Sequence, residues 1–198
     1  MRPASEVVIA TPQRIEQAAL ELFFERGYPA TTMREIALAC GLTAGALYNH
    51  FPSKEKLLAS IIGRVHDELE KMVTDALASA GDDPRERLRA LTYAQALFHT
   101  NHTKDARVGN REINWLPEPE RTQIVEARRR MRGWFEQEIL RGQQMGLFSG
   151  PDAKATVKAL LYAGIGIADW FEPGGRLSAE QVAEIHGALA LRMAGAAP

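Results

Sequence analysis

Apolar residues recur at helical spacing along most of the chain. Ile15, Ala18, Ala19, Leu22 and Phe23 stand at i, i+3, i+4, i+7 and i+8, which predicts a helix from Thr11 that Gly27 ends. Met33, Ile36, Ala37 and Cys40 repeat the pattern over a shorter span, Gly41 breaks it, and Leu42, Ala46 and Leu47 open another short apolar face. From Ser53 a longer stripe of Leu58, Ile61, Ile62, Val65, Leu69, Met72 and Val73 runs to about Ala80. Gly81 to Pro84 reads as a turn with Pro at the next helix start, and Leu88, Leu91, Ala94, Gln95, Phe98 and His102 lie roughly along one face as far as His102. Asn101 to Trp115 is less periodic and predicts a short helix before Pro117 and Pro119. Glu120 to Met145 reads as one helix stopped by Gly146, Pro151 to Phe171 as the most apolar helix, and Ser178 caps a last one striped by Val182, Ile185, Leu189 and Met193. No segment has the period of a strand and no repeat is present, so the predicted fold class is all-α, with about nine helices.

The two short helices carry their own start and stop signals. Thr32 followed by Glu35 is a capping box, Thr43 caps the second helix, and Pro52 closes it near Phe51. Two short helices around a tight Gly turn form a helix-turn-helix, whose second helix enters a DNA major groove. Ala44 and Gly45 are small enough to let that helix approach base edges. Tyr48, Asn49 and His50 place hydroxyl, amide and imidazole donors within one turn, and Ser53 caps the helix that begins with Lys54. Such donors suit phosphate oxygens. With the helix from Thr11, this makes a three-helix head over residues 1–56, leaving 57–198 as a second helical domain. Met1 to Ala10 has no helical stripe and reads as a loose arm; its Arg2 reaches a minor groove in one reading and is simply disordered in the other.

Composition changes the picture in two places. The chain of 198 residues is 45% hydrophobic and 25% charged, ordinary for a globular protein. Its net charge of −1, with six Lys or Arg against six Asp or Glu in the first sixty residues, gives no overall attraction to nucleic acid. The basic footprint must then come from arrangement, with Arg14, Arg26, Arg34, Lys54 and Lys56 on one surface. One cysteine forms no internal disulfide, and Cys40 falls on a buried stripe as an inert thiol. There is no zinc spacing; His99 and His102 at i, i+3 lack a third ligand, so no metal and no cofactor are expected. No signal peptide opens the chain and no apolar run is long enough for a bilayer, which predicts a cytoplasmic protein without a membrane partner.

Gly41 to Leu58, GLTAGALYNHFPSKEKLL, resembles the signature of the TetR family of one-component transcriptional regulators. The resemblance implies a homodimer on a palindromic double-stranded operator, released by a small-molecule effector. It assigns Thr32, Tyr48, His50 and Lys54 to phosphates and Thr43, Ala44, Gly45 and Asn49 to the bases. It further implies that the last two helices pair with their copies, through Ala163, Gly164, Ile167, Phe171, Ile185 and Leu189. The double-sided apolarity of Val157 to Phe171 suits such a bundle, although a deeply buried helix of a monomer would read the same way. Leu57 to Val73, touching head and pocket, would be the lever. Trp170 to Val182, with His99, Glu112, Leu116 and Gly146 to Phe148, is similar to a TetR subgroup that controls fatty-acid and sterol catabolism and responds to acyl-CoA thioesters. Phe98, His99, His102, Trp115, Met131, Trp134, Tyr162 and Trp170 are the candidate pocket residues, with Trp170 alternatively sealing the dimer. Arg128, Arg129, Arg130 and Arg132 either meet CoA phosphates or form a solvated face answered by Glu126 and Glu136. No nucleophile elbow, Walker loop or dinucleotide motif argues for an enzyme. A drug-like effector, and an effector-free module that binds DNA or protein, remain the alternatives.

Overall fold

The computed structural model describes residues 11–197, so the arm carrying Arg2 lies outside it. Among the described residues nine α-helices follow one another: α1 (Thr11–Arg26), α2 (Met33–Ala39), α3 (Ala44–His50), α4 (Lys54–Ser79), α5 (Pro84–Asn101), α6 (Thr103–Arg111), α7 (Glu120–Gln144), α8 (Ala153–Trp170) and α9 (Ala179–Met193). A single 3₁₀ turn, Ile113–Trp115, follows α6.

The helix starts are set by side-chain caps. Thr32 Oγ1 accepts from Glu35 N at 3.3 Å while Thr32 N donates to Glu35 Oε2 at 2.8 Å, so two free amides at the head of α2 are satisfied reciprocally. Ser178 and Gln181 repeat that reciprocal box on α9, while Thr43, Ser53, Asp83 and Asp152 each accept one amide at the start of α3, α4, α5 and α8. Between α2 and α3 the chain reverses at Gly41, whose φ of +68° disfavours any side chain.

Ile15, Leu20, Phe23, Ile36 and Leu47 close the small core of the three-helix head. On α3 only Leu47 is buried, which leaves the rest of that helix to solvent. α4 packs against α1 near its start and against α5, α6 and α7 farther along. Its fully buried Leu57, Leu58, Ile61 and Ile62 join head and body into one continuous apolar cluster that extends from Ile15 to Ala194.

α5 is the axis of the body, touching α4, α7, α8 and α9. α8, although richest in apolar residues, is covered on one side only: Val157, Leu160 and Ile167 are buried, while Tyr162 is 75% exposed and Trp170 52%. The chain end is tied back by Ser149 N to Gly195 O (3.0 Å) and Gly150 N to Ala194 O (2.9 Å), with Phe148 folded onto Gly142. No helix among the described residues is long and apolar enough to cross a membrane.

Candidate nucleic-acid interface and ligand cavity

α3 presents Ala44, Gly45, Tyr48, Asn49 and His50 on its exposed face, and its cap Thr43 is exposed with them. Thr32, at the N-terminus of α2, is exposed as well, although its hydroxyl already donates to Glu35 Oε2 at 2.7 Å. Lys54 is placed differently from the expectation that it holds a phosphate. Its Nζ donates to Tyr28 O at 2.9 Å and Thr31 O at 2.8 Å and lies 4.2 Å from the centre of the Tyr28 ring. Two of its three donors therefore brace the turn between α1 and α2, because the first residue of α4 faces the carbonyls of that turn.

The expected single basic surface is also largely neutralised. Arg14 donates to Cys40 O at 3.1 Å, Arg26 pairs with Glu35 at 3.3 Å, and Lys56 pairs with Glu120 of α7. Arg34 is exposed with no ion pair among the described residues. Cys40 is 7% exposed, and burial pushes its thiol pKa up, as an inert core thiol requires.

A cavity of about 410 Å³ lies in the body between α4, α5, α7 and α8 and reaches the end of α6. Leu69, Met131, Leu161 and Ile165 give it an apolar wall; His66, Gln95, His99, Asn110 and Arg128 give it a polar one, with Arg132, Lys158 and Tyr162 at the exposed side. The charged groups of the lining are all cations; no carboxylate is among them. Arg128 is the most constrained: Nε donates to His66 Nε2 at 3.0 Å, and Nη2 donates to Gly109 O and Asn110 Oδ1, both at 3.1 Å. Burial lowers its pKa, and its partners are all neutral.

The His66 ring is oriented by Ile62 O, 2.9 Å from Nδ1. A carbonyl only accepts, so Nδ1 carries the proton and Nε2 receives the guanidinium. Burial first, and then the Arg128 charge, push His66 down to about 4; burial does the same to His99. Both rings are neutral at physiological pH.

Of the eight candidate pocket residues, His99, Met131 and Tyr162 line the cavity. The other five lie elsewhere, for reasons of helix facing. Phe98 is 1% exposed in the core and stacks on His102 at 4.6 Å, and His102 in turn meets Glu68 of α4. Trp115 lies tilted against Tyr28 with ring centres 5.7 Å apart, at the seam with the head, beside the contact in which Tyr28 N donates to Glu112 Oε1 at 3.4 Å. Trp134 is packed against the core, and Trp170 sits exposed beside Phe171. The arginine run divides: Arg128 and Arg132 face the cavity, and Arg130 pairs with Glu70 at 2.9 Å rather than with Glu126 or Glu136. His66 and Asn110 had no sequence signal of their own, and Lys158 stood out only as the one charge in the apolar run from Val157 to Ala168. Gln95 had one, being an amide on an apolar stripe.

Ala163, Ile185 and Leu189, expected between subunits, are exposed, and Phe171 is half-buried. Two others are occupied within the chain. Ile167 is completely buried with Ala96, Val182 and Ala183, and Gly164 is buried against Gln95. Neither has surface left for a partner, because the small-residue face of α8 is what lets α5 approach. Among the described residues no group of three His, Cys, Asp or Glu side chains is placed to hold a metal.

The chain matches two family models: bacterial regulatory proteins of the tetR family over residues 15–61, and the tetracyclin repressor-like C-terminal domain over residues 81–194. It is 31% identical to the HTH-type transcriptional repressor KstR2 of Mycobacterium tuberculosis, over 96% of this chain and 95% of that one. The solved structure of that ketosteroid transcriptional regulator superposes with a TM-score of 0.85 at 27% identity, covering 96% of this chain and 97% of its own. AibR in complex with isovaleryl coenzyme A and operator DNA superposes at 0.82 with 29% identity, covering 94% and 99%. A head with an exposed second helix, a body with a ligand-sized cavity and family models matching both place this chain in the TetR family, as a DNA-binding transcriptional regulator and not an enzyme.

Proposed function

We propose that the protein is a homodimeric repressor that leaves a palindromic operator when its body binds an acyl-CoA thioester. The observation that carries the effector class is the charge of the cavity: Arg128, Arg132 and Lys158 are its only charged lining groups. An acyl group fits the wall of Leu69, Met131, Leu161 and Ile165, and the phosphates of the coenzyme fit the cationic rim, where guanidinium offers bidentate contacts. A neutral drug-like effector gives those cations nothing to meet. The relatives support the class, since AibR was solved with isovaleryl coenzyme A and KstR2 is a ketosteroid regulator.

On DNA, Thr43, Ala44, Gly45 and Asn49 lie toward the bases, and Thr32, Tyr48 and His50 toward phosphates. Lys54 supports the head from behind. One short helix reads only a few base pairs, so two copies related by a two-fold axis are needed. The exposed parts of α8 and α9 supply the pairing surface, and the work is done in the cytoplasm, where the operator is. α4 is the lever, because Leu57 and Leu58 pack with the head while His66 and Leu69 face the cavity. An effector that prefers one head spacing over the other by a few kcal/mol suffices to switch it.

Fluorescence anisotropy with DNA from upstream of the gene, at fixed salt, tests both halves. Tight binding released by a CoA ester and not by its free acid is the expected result. Binding that no CoA ester disturbs removes the effector class and leaves the regulator.

A further inference from the structure

The cavity has an exposed rim of cations and a deep wall of the opposite character. That wall is the face of α5 carrying Gln95 and His99, which are 2% and 3% exposed and one helical turn apart. His99 Nδ1 lies 2.8 Å from the Gln95 main-chain carbonyl, so Nδ1 holds the ring proton and Nε2 is a bare acceptor facing the cavity. Gln95 Oε1 is buried with no hydrogen-bond partner. The amide has little room to withdraw: α8 approaches so closely that a Cβ on Gly164 would meet Oε1 at 2.6 Å and Nε2 at 3.1 Å. Turning the amide over exchanges the orphaned end without supplying a partner, and it leaves His99 Nε2 an acceptor. An orphaned buried acceptor such as Gln95 Oε1 destabilises the empty protein, and with the open His99 Nε2 beside it favours a ligand that brings a donor.

We infer that the effector buries a hydroxyl, or an equivalent O–H or N–H donor, against Gln95 Oε1 and His99 Nε2, with its anionic end at the Arg132 and Lys158 rim. A hydroxyl both donates and accepts, so it satisfies either orientation of the amide. A ketone only accepts: a turned Gln95 amide serves it, and His99 Nε2 stays bare. A plain hydrocarbon leaves both acceptors desolvated. The inference rests on the proposed acyl-CoA class and selects its hydroxylated members.

Calorimetric titration of the full-length protein with two matched pairs tests it. One pair is a steroid acid with a ring hydroxyl and its ring-ketone counterpart; the other is a long acyl chain ending in a hydroxyl and the same chain ending in a methyl. Each compound is used as the CoA thioester and as the free acid. The hydroxylated member of at least one pair binds roughly tenfold tighter or better, because a site built around a hydroxyl discriminates strongly against its absence. Gln95→Leu and His99→Phe each erase that preference, with folding of both variants checked by thermal melting. Equal or tighter binding of the hydroxyl-free members in both pairs overturns the inference, and so does a preference that survives in both variants. A preference seen only among the free acids keeps the inference and removes the thioester class. No binding by any compound removes both.

Discussion

Arg128 of α7 donates through Nε to His66 Nε2 of α4 over 3.0 Å, and the same guanidinium holds Gly109 and Asn110 at the end of α6. Three helices thus meet on one cation that also faces the cavity. An anion arriving there competes with neutral partners for the guanidinium, which links occupation of the cavity to the position of α4.

Arg128→Met keeps an unbranched apolar stem and removes the guanidinium with its charge. The variant should bind operator DNA as the parent does, while its affinity for CoA esters falls by roughly tenfold or more, the worth of a charge-assisted hydrogen bond. It should also lose about 1–3 kcal/mol of stability, because His66 Nε2, Gly109 O and Asn110 Oδ1 lose their donor. Anisotropy with and without effector, together with urea unfolding, separates the two effects. An unchanged effector response would show that the cation is structural only.

Stability should fall in mild acid. Both His66 and His99 are held near 4 in the folded protein, below the ordinary value near 6.5 that they regain on unfolding. Between those values the unfolded chain binds more protons, so stability is fully present above about 6.5 and is lost as the pH falls toward 4. Protonated His66 would in addition face the Arg128 guanidinium. Melting temperatures measured from pH 7.5 down to 4.5 should decline, and His66→Asn should flatten the decline. A profile equally steep in that variant and in His99→Phe would place the acid sensitivity elsewhere.

Lys54 and Tyr48 should behave oppositely when replaced. Lys54→Met removes two hydrogen bonds to the turn after α1 and the contact with the Tyr28 ring, so the head should lose about 1–3 kcal/mol. Tyr48→Phe and His50→Ala alter exposed side chains that have no hydrogen bonds among the described residues, so melting should stay within about 0.5 kcal/mol of the parent. Operator affinity should nevertheless fall roughly tenfold, and for Tyr48→Phe the dependence on salt should stay as it is, because an uncharged hydroxyl releases no counterion. Loss of DNA binding in Lys54→Met without loss of stability would restore Lys54 to the phosphate-contacting set.

Much of the fold was legible because its signals are local. Thr32 with Glu35, Thr43, Ser53 and Ser178 each act within three residues, and the helices start where those caps predict. The exposed face of α3 was legible for the same reason, since a short helix with one buried residue has little else to hide. The cavity was not. Phe98 and His99 are adjacent in sequence and equally apt for a pocket, yet one is packed in the core and the other faces the cavity, a choice made by how α4, α7 and α8 close around α5. The surroundings of Lys54 and Ile167 were hard to read for a related reason: periodicity tells that a face is covered but not which surface covers it.

The pairing surface can be tested by contrasting Leu189 with Ile167. On α9, Ile185 and Leu189 stand one turn apart on the same face, 44% and 42% exposed, and on α8 the ring of Tyr162 is 75% exposed. These are large apolar groups left at the surface by helices whose other faces are filled. In a two-fold pair Leu189→Arg places the new charge on both copies of a self-complementary patch, where neither is answered. Sedimentation should then show a monomer with an unchanged helical spectrum, and operator affinity should collapse because a single head reads too few base pairs. Ile167→Arg should instead unfold the body, since that side chain is enclosed by Ala96, Val182 and Ala183 of its own chain. A Leu189→Arg protein that still sediments as a dimer would move the interface away from α9 altogether.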